Sequence, residues 1–550
     1  MTRPTGSMKR IAVLSAWSIA PVAVLIAFFI VPVGAMLVQG FWPAGRFDSA
    51  GIAEFFTRPR TLRVIGFTLW SAGLTTVITV TLGVPIARLL YGTLWPGRRV
   101  VAELFLVPFV LPTVVVGVAF RLLLSESGTF GFLGLDGSAT AIILAMVFFN
   151  ISVVVRIVGI AWENRDPRLA EAAASLGANR LQVFWTVTVP TLAPAVAAAA
   201  SVVFLFAATA FGVVLTLGGL RYSTVETEIY LLTVTLLDLQ GAAALSIVQL
   251  LIVVILMVAS TRVGRSRSPK SRVRVTPRPV HWRDAPAAVC LVAAFALVAA
   301  PLLALATRAV RFEGAWSLEY FRRLAAAGED PRIGVSLADA LSTSVRVAVD
   351  ATLIAVVLGL WIALLVTRRP RTTGERRLLA GIDAMFILPL GVSAVTLGFG
   401  FLIALNRPPL DFRDSGLLVP IAQALVALPL VVRTLTPVLR GIDERLREAA
   451  TSLGASPRQV IATIDLPRVG RPLVAAAGFA FAVSMGEFGA TSFIARADSP
   501  TLPLLIYRLI GRPGEGHLAM AAAAALVLAL VIMVVVVVTD RAHERGVVQW

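Results

Sequence analysis

Side chains able to do chemistry are sparse in this sequence, and their types favour binding and docking over catalysis. The only lysines are Lys9 and Lys270. A phosphate-binding loop needs Gly-Lys-Ser/Thr, whereas Lys9 follows Met8 and Lys270 follows Pro269. Any ATP chemistry therefore belongs to another polypeptide, and no cofactor is expected in this chain. Cys290 stands alone in an apolar stretch, and His281, His517 and His543 are scattered without partners at ligand spacing. Neither a disulfide framework nor a metal site is expected. What remains is a handful of charges within apolar segments: Arg156, Asp350, Asp383, Arg433 and Glu487. An ionisable group inside a membrane marks a substrate path or a structural pairing. Arg156 and Arg433 read as snorkelling or structural groups near segment ends, and Asp350 and Asp383 as helix-end or interhelical hydrogen-bond partners. Glu487, in Ser484-Met-Gly-Glu-Phe-Gly489, is placed well into an apolar helix. It is the candidate substrate-path residue, with a carboxylate suited to a cationic solute.

The elements that must position these groups follow from composition. Of 550 residues 58% are hydrophobic and 15% charged, more apolar surface than a soluble domain of this length can bury. The net charge of +18 comes from short basic runs between apolar stretches, the pattern of positive-inside loops, and no nucleic-acid partner is expected. Counting stretches of roughly 20 apolar residues gives about twelve, centred near Phe28, Ile78, Val110, Val147, Val203, Leu250, Leu297, Ala355, Val395, Leu425, Ala480 and Leu528. Their continuous apolarity excludes a barrel. The expected fold is an all-α polytopic membrane protein. The apolar run from Ile11 to Val38 exceeds a signal-peptide core and is read as a retained first helix. Basic connections at Arg98 and Arg99, from Arg262 to Arg283, and from Arg368 to Arg377 place those loops and both termini in the cytoplasm. The connections Arg121 to Asp136, Arg221 to Asp238 and Arg407 to Asp414 are more mixed or acidic and are expected to face outward.

The chain also repeats itself. Asp166-Pro-Arg-Leu-Ala-Glu171-Ala-Ala-Ala-Ser-Leu-Gly177 in the first half reappears as Asp443-Glu-Arg-Leu-Arg-Glu448-Ala-Ala-Thr-Ser-Leu-Gly454 in the second, at an offset of 277. The same offset carries Phe211-Gly212 onto Phe488-Gly489 and Ile229-Tyr230 onto Ile506-Tyr507. Nearby offsets align Leu82-Gly83 with Leu358-Gly359, and Pro108 and Gly117 with Pro389 and Gly398. The organisation is thus a first half over residues 1–260, a basic Ser- and Pro-containing linker over 261–284, and a second half over 285–550. The linker cannot bury a core and is expected to be a flexible cytoplasmic tether. Six segments per half make the two repeats parallel, related by an axis along the membrane normal.

Glu and Ala are good helix formers, so Leu169 to Leu176 should form a short helix that Gly177 ends, followed by a second helical segment leading to Pro190. The spacing E-A-A, three residues, G, nine residues, I, one residue, L-P resembles the signature of type I ABC importer permeases. Glu448-Ala449-Ala450 through Gly454 to Ile464, Leu466 and Pro467 matches at every position. Glu171-Ala172-Ala173 through Gly177 to Val187, Val189 and Pro190 departs only by valine for isoleucine and leucine.

The resemblance implies that Glu171, Ala172, Ala173, Leu176 and Gly177, with Glu448, Ala449, Ala450, Leu453 and Gly454, form coupling helices that dock two copies of an ABC ATPase carrying the ATP and Mg. It also implies an extracytoplasmic substrate-binding protein as partner and a location in the bacterial inner membrane. Fused double-length permeases of this kind occur chiefly in the thiamine and ferric iron uptake families. The stretches Phe211 to Gly219, Glu226 to Tyr230, Met485 to Gly489 and Thr501 to Tyr507 look most like the thiamine permease. Thiamine or its phosphates is therefore the expected solute and ferric iron the alternative. A secondary transporter of the major facilitator kind also has twelve helices in parallel halves. Its G-x-x-x-D-R-x-G-R-R pattern is broken here, where Gly92-Thr-Leu-Trp-Pro-Gly97-Arg98-Arg99 lacks the Asp.

Overall fold

In the computed structural model, residues 5–105, 107–219, 221–264, 277–330, 333–368, 370, 372–387, 392–405, 411–412, 415–496 and 498–544 are described. Among them, ten helices are long and apolar enough to cross a membrane. The first half contributes Leu14–Phe41, Pro59–Gly92, Ala139–Glu163, Arg180–Ala208 and Leu239–Met257. The second contributes Trp282–Ala309, Leu337–Val366, Leu418–Gly441, Pro457–Gly486 and Glu515–Thr539.

The third segment of each half is broken rather than continuous. Near Val110 the chain turns by 102° between Arg98–Val110 and Thr113–Leu124. Pro108 and Pro112 lie at the break; proline has no N–H to donate and clashes with the carbonyl four residues back. Near Val395 the corresponding pieces are Thr373–Ile387 and Ala394–Ala404. Pro389, the counterpart of Pro108, lies outside the described residues, as do Arg369 and Arg371 in the basic loop before it and most of the Arg407 to Asp414 connection. Among the described residues, the ten unbroken helices become eleven crossings when the bent pair Arg98–Val110 and Thr113–Leu124 is taken as one span.

Within each half the second and fourth helices pack closely, and one glycine contact recurs in both. A Cβ on Gly83 would lie 2.7 Å from Val154 Cγ1, and one on Gly359 would lie 2.6 Å from Val431 Cγ1. Val154 and Val431 are themselves 277 residues apart, so the sequence repeat is also a repeat of contacts. The first helix of each half crosses to the other half. Val31–Phe41 packs on Ala394–Ala404 as well as on Leu239–Gly264, and Ala285–Ala309 packs on Thr113–Leu124 as well as on Glu515–Glu544. Trp361 Nε1 donates to the Trp17 carbonyl at 3.1 Å, tying the same exchange. Exposed side chains such as Leu69, Val77, Leu353 and Val357 face outward from these helices, as lipid-facing positions should.

The reading of the linker as a flexible tether needs correction at its end. Residues 265–276 lie outside the described residues, but Arg278–Pro279 pairs in parallel with Thr93–Leu94. Buried Asp284 accepts from Arg278 Nη2 at 2.7 Å and Nη1 at 2.9 Å, and from Arg88 Nη2 at 3.3 Å. The His281 N–H adds a further bond at 3.0 Å. A fork of this kind is strong because guanidinium and carboxylate match in shape as well as charge. It clasps the start of the second half to the second helix of the first.

Candidate functional site

Two sites emerge, one at the loop face and one in the interior. Each loop helix is set by local chemistry. Asp166 caps Pro167–Ser175 by accepting from the Arg168 N–H at 3.0 Å, and Asp443 caps Glu444–Ser452 by accepting from the Arg445 N–H at 3.0 Å. Gly177 and Gly454 end these helices at φ of +86° and +88°, a left-handed conformation in which a Cβ is penalised. A second short helix follows in each loop, opened by the Asn179–Gln182 and Ser456–Gln459 capping boxes. Wide turns at Phe184–Thr188 and Ile461–Asp465 then lead into the prolines Pro190 and Pro467. The wide turn absorbs the missing proline N–H.

Within each loop the residues identified from the sequence sit on an outer surface. Glu171, Ala172, Glu448 and Ala449 are exposed, and Ala173 and Ala450 half-buried. Leu176 and Leu453 are 89% and 90% exposed. In each loop a leucine held out at the turn, with small alanines beside it, makes an apolar point that the described residues leave uncovered. The loops differ in bracing. Asp465 accepts from Arg447 Nε at 2.9 Å, while at the equivalent Thr188 the hydroxyl receives Arg165 Nη1 at 2.8 Å.

The interior site is a cavity of about 360 Å³ between the halves, walled by Phe109, Phe149, Phe206, Phe211 and Phe488 and bearing Glu226 and Glu487. It is continuous with a second space of about 400 Å³ on the loop side, which shares Phe109, Thr113, Phe206 and Gly486. On the side away from the loops an aromatic layer closes it. Phe211 stacks on Phe488 at 5.4 Å and 21°, and Tyr230 meets Tyr507 edge-on at 6.4 Å. Both pairs are related by 277 residues, so the pseudo-two-fold axis passes through this layer.

Glu487 lines the cavity, but not from the middle of a helix. Leu466–Gly486 stops just before it, and Thr491–Ile494 starts just after. Its carboxylate accepts from the N–H of Ala490 at 2.8 Å, the N–H of Thr491 at 3.1 Å and the hydroxyl of Thr491 at 2.5 Å. Gly486 and Gly489 flank this break, a signal legible in the sequence beforehand. Thr491 in turn accepts from Gln423 Nε2 at 3.1 Å. Arg156, Asp350, Asp383 and Arg433 do not line the central cavity; Arg156 and Arg433 are exposed, Asp350 and Asp383 half-buried.

Sequence reasoning missed Glu226 because Arg221 to Asp238 was read as an outward loop. Val225–Tyr230 is instead a buried helix folded back into the bundle. Its available signal was the interleaving of Val225, Ile229 and Tyr230 with Glu226 and Glu228. Glu226 is fully buried and accepts from Gln249 Nε2 and Ser393 Oγ, each at 2.9 Å. Glu228, two residues on, is paired with Arg60 through both carboxylate oxygens, at 2.5 and 3.1 Å.

A pseudosymmetric helical bundle with an internal cavity and a matching pair of exposed loop helices defines a membrane permease of two fused halves. Residues 79–269 and 355–547 each match the family model described as the binding-protein-dependent transport system inner membrane component, and the chain belongs to that family. It is 28% identical over 82% of its length to the thiamine transport system permease protein ThiP of Escherichia coli (strain K12), covering 83% of that protein. It is 26% identical over 88% of its length to the ferric transport system permease protein FbpB of Actinobacillus pleuropneumoniae, covering 72% of it. A crystal structure of a bacterial ABC transporter involved in the import of the acidic polysaccharide alginate aligns with 48% of this chain and 99% of its own, at 18% identity and a TM-score of 0.41. Two matches to one permease family set aside the major facilitator architecture. The chain is a transport subunit rather than an enzyme.

Proposed function

We propose that this chain is the permease of a bacterial importer that carries thiamine or its phosphates across the cytoplasmic membrane, energised by a separate ATPase. The observation that carries the reading is likeness along most of the chain to the thiamine permease of Escherichia coli, 28% identical over 82% of this sequence. The cavity supports the same choice over ferric iron, since aromatic walls and buried carboxylates suit a ringed organic cation. Glu487 lies on the proposed substrate path.

Both termini and both Glu-Ala-Ala loops lie in the cytoplasm in this reading, as the basic Arg98, Arg99 and Arg262 to Arg283 connections favour. Each loop docks one ATPase subunit, through Glu171, Ala172, Ala173, Leu176 and Gly177 in one half and Glu448, Ala449, Ala450, Leu453 and Gly454 in the other. ATP and Mg are held by those partners. The near-identity of the loops argues for two copies of one ATPase. An extracytoplasmic binding protein delivers solute at the opposite face. Nucleotide binding draws the ATPases together, the loop helices carry that motion into the halves, and the Phe211–Phe488 layer parts to admit the solute. Hydrolysis reverses the movement.

The test is uptake of labelled thiamine by the reconstituted complex of permease, ATPase and binding protein, with Glu448→Lys and Gly454→Pro as variants. Capture by the binding protein should persist in both variants, while uptake and solute-stimulated ATP hydrolysis fall. Normal coupling in both at unchanged protein levels overturns the docking assignment. Accumulation of ferric ion in place of thiamine overturns the substrate.

A further inference from the structure

The frame of the central cavity is pseudosymmetric and its polar groups are not. Glu487, Thr491 and Gln423 form one hydrogen-bonded set, and the places related to them by 277 residues hold Ala210, Val214 and Met146. Glu226, Gln249 and Ser393 form the other. The same offset relates Glu226 and Gln249 to Pro503 and Leu526, and Ser393, which caps Ala394–Ala404, corresponds to Pro112, which precedes Thr113–Leu124. Each set therefore occurs once, against an apolar counterpart.

The two carboxylates are held in different ways. All three donors to Glu487 come from Ala490 and Thr491, and two are backbone N–H groups. Those bonds fix the chain at the break in its own helix and leave little of the carboxylate to offer a ligand. Glu226 is held by two neutral side chains from separate elements, one in each half of the protein. One of these, Ser393, is already engaged by the Thr396 N–H at 3.0 Å and lies 2.9 Å from the Thr396 hydroxyl. Among the described residues, neither Glu226 nor Glu487 has a basic side chain at ion-pair distance, whereas Glu228 has Arg60. A buried carboxylate without a counter-charge is unfavourable as an anion. A cation entering the cavity supplies that counter-charge, and the rings of Phe109, Phe206, Phe211 and Phe488 line the space where it would sit.

We propose that Glu226 is the specificity-determining residue of this cavity, recognising the positive charge of a small organic cation, while Glu487 positions the helix break that shapes the path. The proposal rests on the cavity being the substrate path. It divides roles that symmetry alone would not divide, because the two acids sit at non-equivalent places in the repeat.

Two measurements test it. In proteoliposomes holding the full complex, Glu226→Gln should raise the KM for thiamine about tenfold or more with little change in kcat. Glu226→Asp, which keeps the charge, should recover part of that loss, separating lost charge from misfolding. Glu487→Gln should instead lower the thermal unfolding midpoint, with KM changed much less. The second measurement uses benzyltrimethylammonium as cation and benzyl alcohol as uncharged control, each added to the purified complex. The cation, not the alcohol, should raise the unfolding midpoint of the wild type and Glu487→Gln, and neither should raise that of Glu226→Gln. A wild-type KM in Glu226→Gln, no stabilisation of the wild type by the cation, or equal stabilisation of the wild type and Glu226→Gln overturns the assignment. Failure of the wild type to transport thiamine, with the cation still separating it from Glu226→Gln, overturns the thiamine reading alone.

Discussion

Glu487, Thr491 and Gln423 form a buried chain of hydrogen bonds in which the loss of the middle member is felt on both sides. Thr491 both donates to Glu487 and accepts from Gln423, so removing its hydroxyl strands a donor and deprives an acceptor. Thr491→Val should destabilise the protein by about 1–3 kcal/mol, the range for leaving buried partners unsatisfied. Replacing Gln423 as well, as Thr491→Val with Gln423→Met, should cost less than Thr491→Val alone, because the donor on Gln423 then leaves together with its acceptor. Thermal unfolding of the purified protein, followed by the reaction of a thiol probe with the half-buried Cys290 as it becomes exposed, compares the two. A double variant weaker than the single one would show that Gln423 contributes more than this hydrogen bond.

Among the elements, the helix pair joined at Gly83 and the pair joined at Gly359 make the same contact in two places. Gly83→Ala and Gly359→Ala each force a Cβ into a valine methyl group, and overpacking of this kind costs about 1–3 kcal/mol. The unfolding midpoint should fall by similar amounts in the two variants and roughly additively in the double, since the sites lie in different halves. Unequal losses would mean that the repeat is less symmetric in energy than in geometry. The loop helices were the most legible elements in the sequence. Their caps, their terminal glycines and the proline after them all act within a few residues, and local chemistry of that kind needs no knowledge of the fold. The broken third segments were less legible, because hydropathy sums over Pro108 and Pro112 without registering the turn they impose.

For the whole molecule, the exchange of first helices makes each half depend on the other. Val31–Phe41 completes the surface of Ala394–Ala404, and Ala285–Ala309 completes that of Thr113–Leu124. Covalent fusion is not what holds such halves together. Two polypeptides covering residues 1–270 and 271–550, produced in the same cell, should copurify and support uptake. Arg278→Ala or Asp284→Ala in the second of them should weaken copurification, since removing one partner of the clasp leaves the buried Asp284 under-compensated or Arg88 and Arg278 without it. Pull-down through a tag on the first polypeptide reads both outcomes. Copurification unchanged by either substitution would show that the clasp is dispensable for assembly.

The sequence by itself determined the membrane class, the duplication, the two loop helices and the family resemblance. Apolar content, repeat offset and capping residues are additive or local properties, readable one window at a time. It also raised Glu487 as a candidate. Tertiary structure alone decided that Val225–Tyr230 returns into the bundle with Glu226 buried. It also brought Ser393 of the other half onto the same carboxylate. Those facts depend on which segments meet across the pseudo-two-fold axis, and the interactions that settle it link residues 167 positions apart, as Glu226 with Ser393, or further. A hydropathy window sees two acids in a short connection between apolar segments. The fold turns one of them into the partner of an arginine and leaves the other facing a cavity with only neutral donors.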